Sequence, residues 1–237
     1  MKRIGVAAAV CVLTVLALAQ EKPVPITSEA HHQLVLENEC TRVFHVVIAP
    51  KESTLMHQHD LDYVFVQIGA ADISNEKAGA AAAEVKFADG TVRFAKGGFA
   101  HKVTNLLDTP FVNLTIEVKK PSTKSLCAAA WPGVAAEKPE GCGATITTGS
   151  SGQTYNLGTD AVEAHTWFTT GNGTSVTPDD AEYPRLLVAL TPLRCNCGGA
   201  QTKEMKPGDV AWVPKGTLAE VSKSGDAGAR FVMVSFK

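Results

Sequence analysis

Three histidines carry the chemistry that this sequence could do. His57 and His59 stand two apart, just ahead of the strand-favouring run Tyr63-Val-Phe-Val-Gln-Ile68. Side chains at i and i+2 of a strand leave the same face, so both imidazoles can aim at one point. His101 follows the turn Gly97-Gly98 on a later strand, which is how a barrel brings in a ligand from elsewhere in the chain. Imidazole is the commonest metal-binding side chain. Three of them with open positions suit one divalent transition metal: Fe, Mn, Ni, Cu or Zn.

Other constellations are absent from the sequence. There is no G-x-S-x-G elbow, no phosphate-binding loop and no H-E-x-x-H helix. His31 and His32 lie in a polar N-terminal arm, residues 20–33, and read as solvated tail residues, with a loose metal scavenger as the alternative. His45 sits in an apolar strand and reads as a core or rim histidine, and His165 as core packing.

The elements that would position the three histidines are short strands. Residues 34–48 read as two strands with a turn near Glu37-Asn38-Glu39, and Leu55 to Ile68 as a strand pair or one long bent strand. Residues 76–84 read as a loop, because Gly79 and the lack of an apolar stripe oppose a helix. Further strands are expected at 85–87, 92–94, 101–105 and 111–119. Residues 120–152 shift to Pro, Gly, Ala, Ser and Thr and read as a linker. Beyond it, strands are expected at 153–157, 161–168, 185–190, 211–213, 219–221 and 231–236. Many short strands with frequent turn signals imply an all-β barrel or sandwich.

The N-terminus reads as a signal peptide over residues 1–19. Met1-Lys2-Arg3 is basic, residues 4–18 are largely apolar, and Ala17-Leu18-Ala19 is a small-x-small cleavage site. The expectation is a secreted or periplasmic protein with no stable membrane span after cleavage. Losing Lys2 and Arg3 takes the formal charge from −2 to −4. No basic run exists, so nucleic acid has no electrostatic support as a partner. Cys40, Cys127, Cys142, Cys195 and Cys197 remain. In an exported chain they favour disulfides, with Cys127–Cys142 the favoured pair and the odd count leaving at least one thiol over. Cys195-Asn-Cys197 is too closely spaced for a Cys-x-x-Cys pair and reads as a loop feature.

The two halves echo each other. Gly90-x5-Lys96-x-Gly98-x2-His101-x3-Asn105 recurs as Gly208-x5-Pro214-x-Gly216-x2-Ala219-x3-Lys223. The first copy resembles the second motif of the cupin superfamily, G-x5-P-x-G-x2-H-x3-N, with Lys96 in the proline place. His57, His59 and Gly69 resemble its first motif, G-x5-H-x-H-x3,4-E-x6-G. Lys51 stands at the opening glycine, and Tyr63 and Val64 occupy the two places open to the glutamate.

The resemblance implies two tandem antiparallel jelly-roll barrels, one over residues 34–119 and one over 153–237. His57, His59 and His101 would then be the metal ligands of the first. Asp62 is the nearest carboxylate that could stand in for the missing glutamate. Counted from His59 it comes one residue early, and it would need a bulge. Tyr63 and Gln67 would face the cavity by parity. In the second barrel Ala219, Thr177 and Asp179 replace the histidines, so that half is expected to be structural, ligand-binding or dimerising, with a homodimer open to it.

Among the activities the resemblance implies, dioxygenation or decarboxylation of a small organic molecule suits the site. A non-catalytic small-ligand-binding module of the cell envelope is the competing reading, and a structural envelope protein is a third. The barrel is a reused fold, so it does not choose among them.

Overall fold

The run Asp62–Ile68 is buried on both faces, and that explains how the chain is organised. Tyr63 and Phe65 pack into the interior of the first half, while Val64 and Val66 pack into a core shared with the second half. A strand with two apolar surroundings reads as a nearly continuous hydrophobic run. A computed structural model describes residues 22–127, 143, 145–148, 150–169, 182–199 and 201–237.

The first half holds β1 (Val24–Pro25), β2 (His32–Glu37), β3 (Thr41–Ile48), β4 (His57–His59), β5 (Asp62–Ile68), β6 (Ala71–Lys77), β7 (Ala83–Phe87), β8 (Val92–Ala95), β9 (Phe99–Asn105) and β10 (Phe111–Val118). They form two facing sheets, β1-β4-β9-β6-β7 and β2-β3-β10-β5-β8. Pairing is antiparallel except between β1 and β4. Phe44, Val46, Ile48, Ile73, Val85, Phe87, Val103 and Phe111 fill the space between the sheets.

The second half holds β11 (Ser125–Cys127), β12 (Thr145–Thr148), β13 (Ser151–Thr159), β14 (Val162–Thr169), β15 (Arg185–Ala189), β16 (Leu193–Asn196), β17 (Lys203–Met205), β18 (Val210–Val213), β19 (Glu220–Lys223) and β20 (Ala229–Phe236). A sheet ordered β11-β13-β14-β20-β15-β18, with β12 on β13, faces the smaller sheet β17-β16-β19. Leu187, Leu193, Met205, Val213, Phe231 and Met233 fill this barrel.

The outer faces of the two large sheets meet in the third cluster. Leu114, Ile116 and Val118 pack there with Leu186, Val188, Val232 and Val234. Each such side chain, fully buried, contributes about 1.5–3 kcal/mol. The molecule is therefore two tandem jelly-roll barrels sharing a hydrophobic wall. His45, on the outward face of β3, lies 3.2 Å from where a Cβ on Gly208 would sit, so it packs on the second barrel.

Four expectations change. The stretch 55–68 is two strands in different sheets, because the chain crosses over at Asp60–Leu61 between β4 and β5. Residues 76–84 contain the end of β6 and the start of β7, a hairpin whose polar strands hide its alternation. The stretch 120–152 has a strand at each end, both paired with β13. Residues 22–33 are no loose arm: β1 pairs with His57 and Gln58, and Glu29 and His32 are buried. The signal peptide, Cys142, Thr177 and Asp179 lie outside the described residues. No helix among the described residues is long and apolar enough to cross a membrane.

Cys195 and Cys197 form a disulfide, which corrects the loop-feature reading. At the end of β16 the two side chains leave one face, and their Cα atoms are 5.4 Å apart, within bonding range. Cys40 is free and half-buried.

Candidate metal centre

The centre is assembled by register. His57 of β4 lies directly opposite His101 of β9, and His59 opposite Phe99. The turn that delivers β9 depends on two glycines. Gly98 has φ +87°, and a Cβ on Gly97 would come within 2.6 Å of the Asp60 carbonyl oxygen and the Leu61 carbonyl carbon. The Gly98 N–H donates to the His59 carbonyl at 2.7 Å, fixing the turn against β4.

A fourth histidine joins them. His32, at the start of β2, has its ring 4.6 Å from that of His57. One nitrogen from each of His32, His57 and His59 falls within 4.8 Å of the others, a group that could hold a metal ion. His101 closes the cluster, with its ring 4.6 Å from that of His57 and its Nε2 3.1 Å from the His59 Nε2.

Hydrogen bonds set the tautomers. The Nδ1 of His57 donates to the Leu55 carbonyl at 2.9 Å, and the Nδ1 of His101 to Asn75 Oδ1 at 2.8 Å. The Nδ1 of His32 faces the Glu29 carboxylate at 2.6 Å. In the neutral ring each of these leaves Nε2 with a lone pair. The His57 Nε2 and the His59 Nδ1 are buried with no hydrogen-bond partner. Buried polar atoms without partners are costly, and a cation held by the cluster would satisfy the His57 Nε2. Two nitrogens each about 2.1 Å from one ion and at a right angle to it lie about 3 Å apart, which matches the His59–His101 pair. The residues fit a transition metal.

All four side chains are largely withdrawn from water. Burial, then the nearby His32, pushes the His57 pKa down to about 4. Burial and the neighbouring imidazoles hold His59 and His101 well below the ordinary value of 6.5. The rings of His57, His59 and His101 are thus neutral at pH 7, as metal ligands must be. Burial alone would raise the Glu29 carboxyl, but hydrogen bonds from His32 and His31 outweigh it and bring it to about 2.

Beside the cluster is a cavity of about 30 Å³, room for about two water molecules. Val46, Ile48, Phe65, Ile73, Val103 and Phe111 supply apolar walls, and Thr54, Tyr63, Asn113 and Thr115 supply polar groups.

No protein-family model and no curated protein sequence matches this chain. Solved structures do. A cupin 2 conserved barrel domain protein from Leptotrichia buccalis aligns over 86% of this chain and 87% of its own, at 11% identity and a TM-score of 0.53. The fold is a cupin fold. Salicylate 1,2-dioxygenase from Pseudaminobacter salicylatoxidans shares it over 87% of this chain and 77% of its own, at 10% identity and a TM-score of 0.60. Oxalate decarboxylase from Bacillus subtilis, which has Mn(II) centres, aligns over 84% and 70%, at 12% identity and a TM-score of 0.55.

Within the cupin barrel the expected residues divide. His57, His59 and His101 come together. Tyr63 lines the cavity, its ring stacked 4.5 Å from that of His59, and burial keeps its hydroxyl protonated. Gln67 shares the inward face of β5 but is not among the cavity-lining residues, and its amide donates to the Ile68 carbonyl at 3.1 Å.

Asp62 has a different job from the ligand role considered for it. With Tyr63 facing inward, Asp62 faces the other way and accepts from Lys96 Nζ at 2.9 Å and from the Gly97 and Ser122 N–H groups at 3.0 and 2.9 Å. Lys96 also donates to the Ser122 carbonyl. Two departures from the cupin motifs, Lys96 for proline and Asp62 near the lost glutamate, are partners. Asn105 clamps the carbonyls of Ile48, Ala49 and Thr109 instead of facing the cluster.

His32 is the residue that the sequence left outside the cluster, read there as a tail residue or a loose metal scavenger. A polar arm offers no periodicity to place it. The available signal was that β2 starts two residues before its apolar run, which brings His32 into the strand.

The second cupin barrel carries none of this chemistry among its described residues. Ala219, at the position echoing His101, is fully buried in an apolar interior.

Proposed function

We propose that this chain is an exported, metal-dependent cupin enzyme acting on a small organic molecule in its first barrel. The observation that carries this reading is a cluster of buried histidines beside a cavity: His32, His57 and His59 offer nitrogens within 4.8 Å of one another, and His101 stands against His59. His32, His57, His59 and His101 would hold one divalent transition metal. A metal so held supplies Lewis acidity toward an oxygen-bearing substrate or dioxygen.

The chain's own groups define the rest. Among the described residues that line the cavity, the titratable side chains are the four histidines and Tyr63. Tyr63 keeps its proton and can donate to a substrate oxygen. Phe65, Ile73 and Phe111 exclude water and fit an apolar portion of the substrate. With no lining carboxylate to relay protons, dioxygenase-like chemistry is favoured over decarboxylation, and the two enzymes that share the fold show that it supports either.

The same lack of a proton relay is what a non-catalytic small-ligand-binding module would show, and that is the second reading. Oxygen uptake and carbon dioxide release by the iron- or manganese-loaded protein, across a panel of phenols, diketones and small carboxylic acids, separate them. Turnover lost in His59→Ala supports the enzyme. Tight binding of a panel member without turnover supports the module.

A further inference from the structure

The cupin motif supplies a glutamate at the metal, and here that place is held by Tyr63 and Val64. A buried carboxylate nevertheless stands one residue behind the cluster. The Glu29 side chain is fully buried. Its Oε2 lies 2.6 Å from His32 Nδ1 and accepts from the His31 N–H at 3.0 Å. Its Oε1 lies 2.8 Å from His31 Nδ1 and 3.3 Å from the Leu55 N–H. Leu55 in turn takes the His57 Nδ1 proton on its carbonyl. Glu29 therefore touches the N-terminal segment and the ligand strand at once.

We propose that Glu29 is the positioning residue of the metal centre, supplying through His32 the negative charge that the missing glutamate would have supplied directly. This rests on the four-histidine metal reading above. A carboxylate behind a ligating imidazole fixes the tautomer, turns Nε2 toward the ion and makes that nitrogen a stronger donor. Four neutral ligands leave the full charge of a divalent ion in a buried site, and a fixed anion one imidazole away offsets part of it. The short β1–β4 pairing and the 3-10 turn Ile26–Ser28 hold the segment that presents Glu29.

The test is Glu29→Gln in the full mature chain, which keeps the shape and removes the charge. Cobalt(II) affinity, read by chelator competition, is expected to fall about 10–100-fold, and the optical bands of the cobalt protein are expected to shift. In a His32→Ala background the same change is expected to cost nothing further. Unchanged affinity and bands in Glu29→Gln, or an equal loss in both backgrounds, would overturn the proposal. Nitrogen chemical shifts of His32 in the zinc-loaded wild type give a second reading that needs no variant. A protonated Nδ1 with metal on Nε2 supports it, and the opposite tautomer refutes it. A wild type that binds no cobalt or zinc would fail the metal reading itself, which is a separate result.

Discussion

The Nε2 atoms of His59 and His101 face each other across 3.1 Å, between strands joined by backbone hydrogen bonds. Hydrogen bonding of Nδ1 to Asn75 leaves a lone pair on the His101 Nε2, so a second lone pair opposite it would repel unless a proton or a cation lay between them. On the proposed metal reading, replacing either ring by alanine removes a ligand outright. Chelator competition is expected to show a loss of metal affinity larger than the about 10–100-fold typical of an outer partner.

The metal-free protein is expected to weaken in mild acid. His57 has a folded pKa of about 4 against an ordinary 6.5, so the unfolded chain takes up its proton first. The contribution of neutral His57 is complete above pH 6.5, declines as pH falls, and is lost below about 4. A shift of that size corresponds to about 3 kcal/mol, and His59 and His101 act in the same direction. Urea unfolding of the metal-free protein from pH 8 to pH 4 checks this. A flat stability across that range contradicts it.

Asp62→Ala separates support from ligation. It leaves the half-buried Gly97 N–H and the buried Ser122 N–H without their acceptor, the latter at about 1–3 kcal/mol. The midpoint of thermal unfolding should drop, while metal stoichiometry should stay at that of the parent. A stoichiometric loss of metal would return Asp62 to the ligand set.

Gly97→Ala tests the turn. The added methyl meets backbone atoms of Asp60 and Leu61 at 2.6 Å, and backbone cannot step aside cheaply. The substitution should destabilise the fold and, because Gly98 is bonded to the His59 carbonyl, weaken metal binding as well. Unaltered melting and metal affinity would show that the turn does not set the site.

The shared wall between the barrels predicts joint unfolding. Leu114 is fully buried among residues of both halves. Leu114→Ala should cost about 2–5 kcal/mol and lower a single calorimetric transition. Two separate transitions would mean that the halves fold independently.

How far the sequence reveals this molecule depends on what kind of signal each residue leaves. His57, His59 and His101 are legible because parity and glycine punctuation are local. The apolar strands were legible for the same reason. β6 was not, because its exposed and polar positions dilute the alternation. Asp62 was misleading: proximity in sequence made it a ligand candidate, while its parity had already turned it outward toward Lys96. Glu29 was illegible and His32 only faintly marked by the apolar run that follows it, since their burial depends on β1 lying along β4, a long-range pairing of two residues. The Cys195–Cys197 bond was hidden by an expectation drawn from a wider spacing.

The most direct measurement of the central claim is elemental analysis of the protein produced from residue 20 onward, beside a His57→Ala/His101→Ala variant. The account predicts close to one equivalent of iron, manganese, copper, nickel or zinc in the parent and its loss in the variant. A parent that holds no metal after reconstitution, or a variant that retains it, would contradict the account.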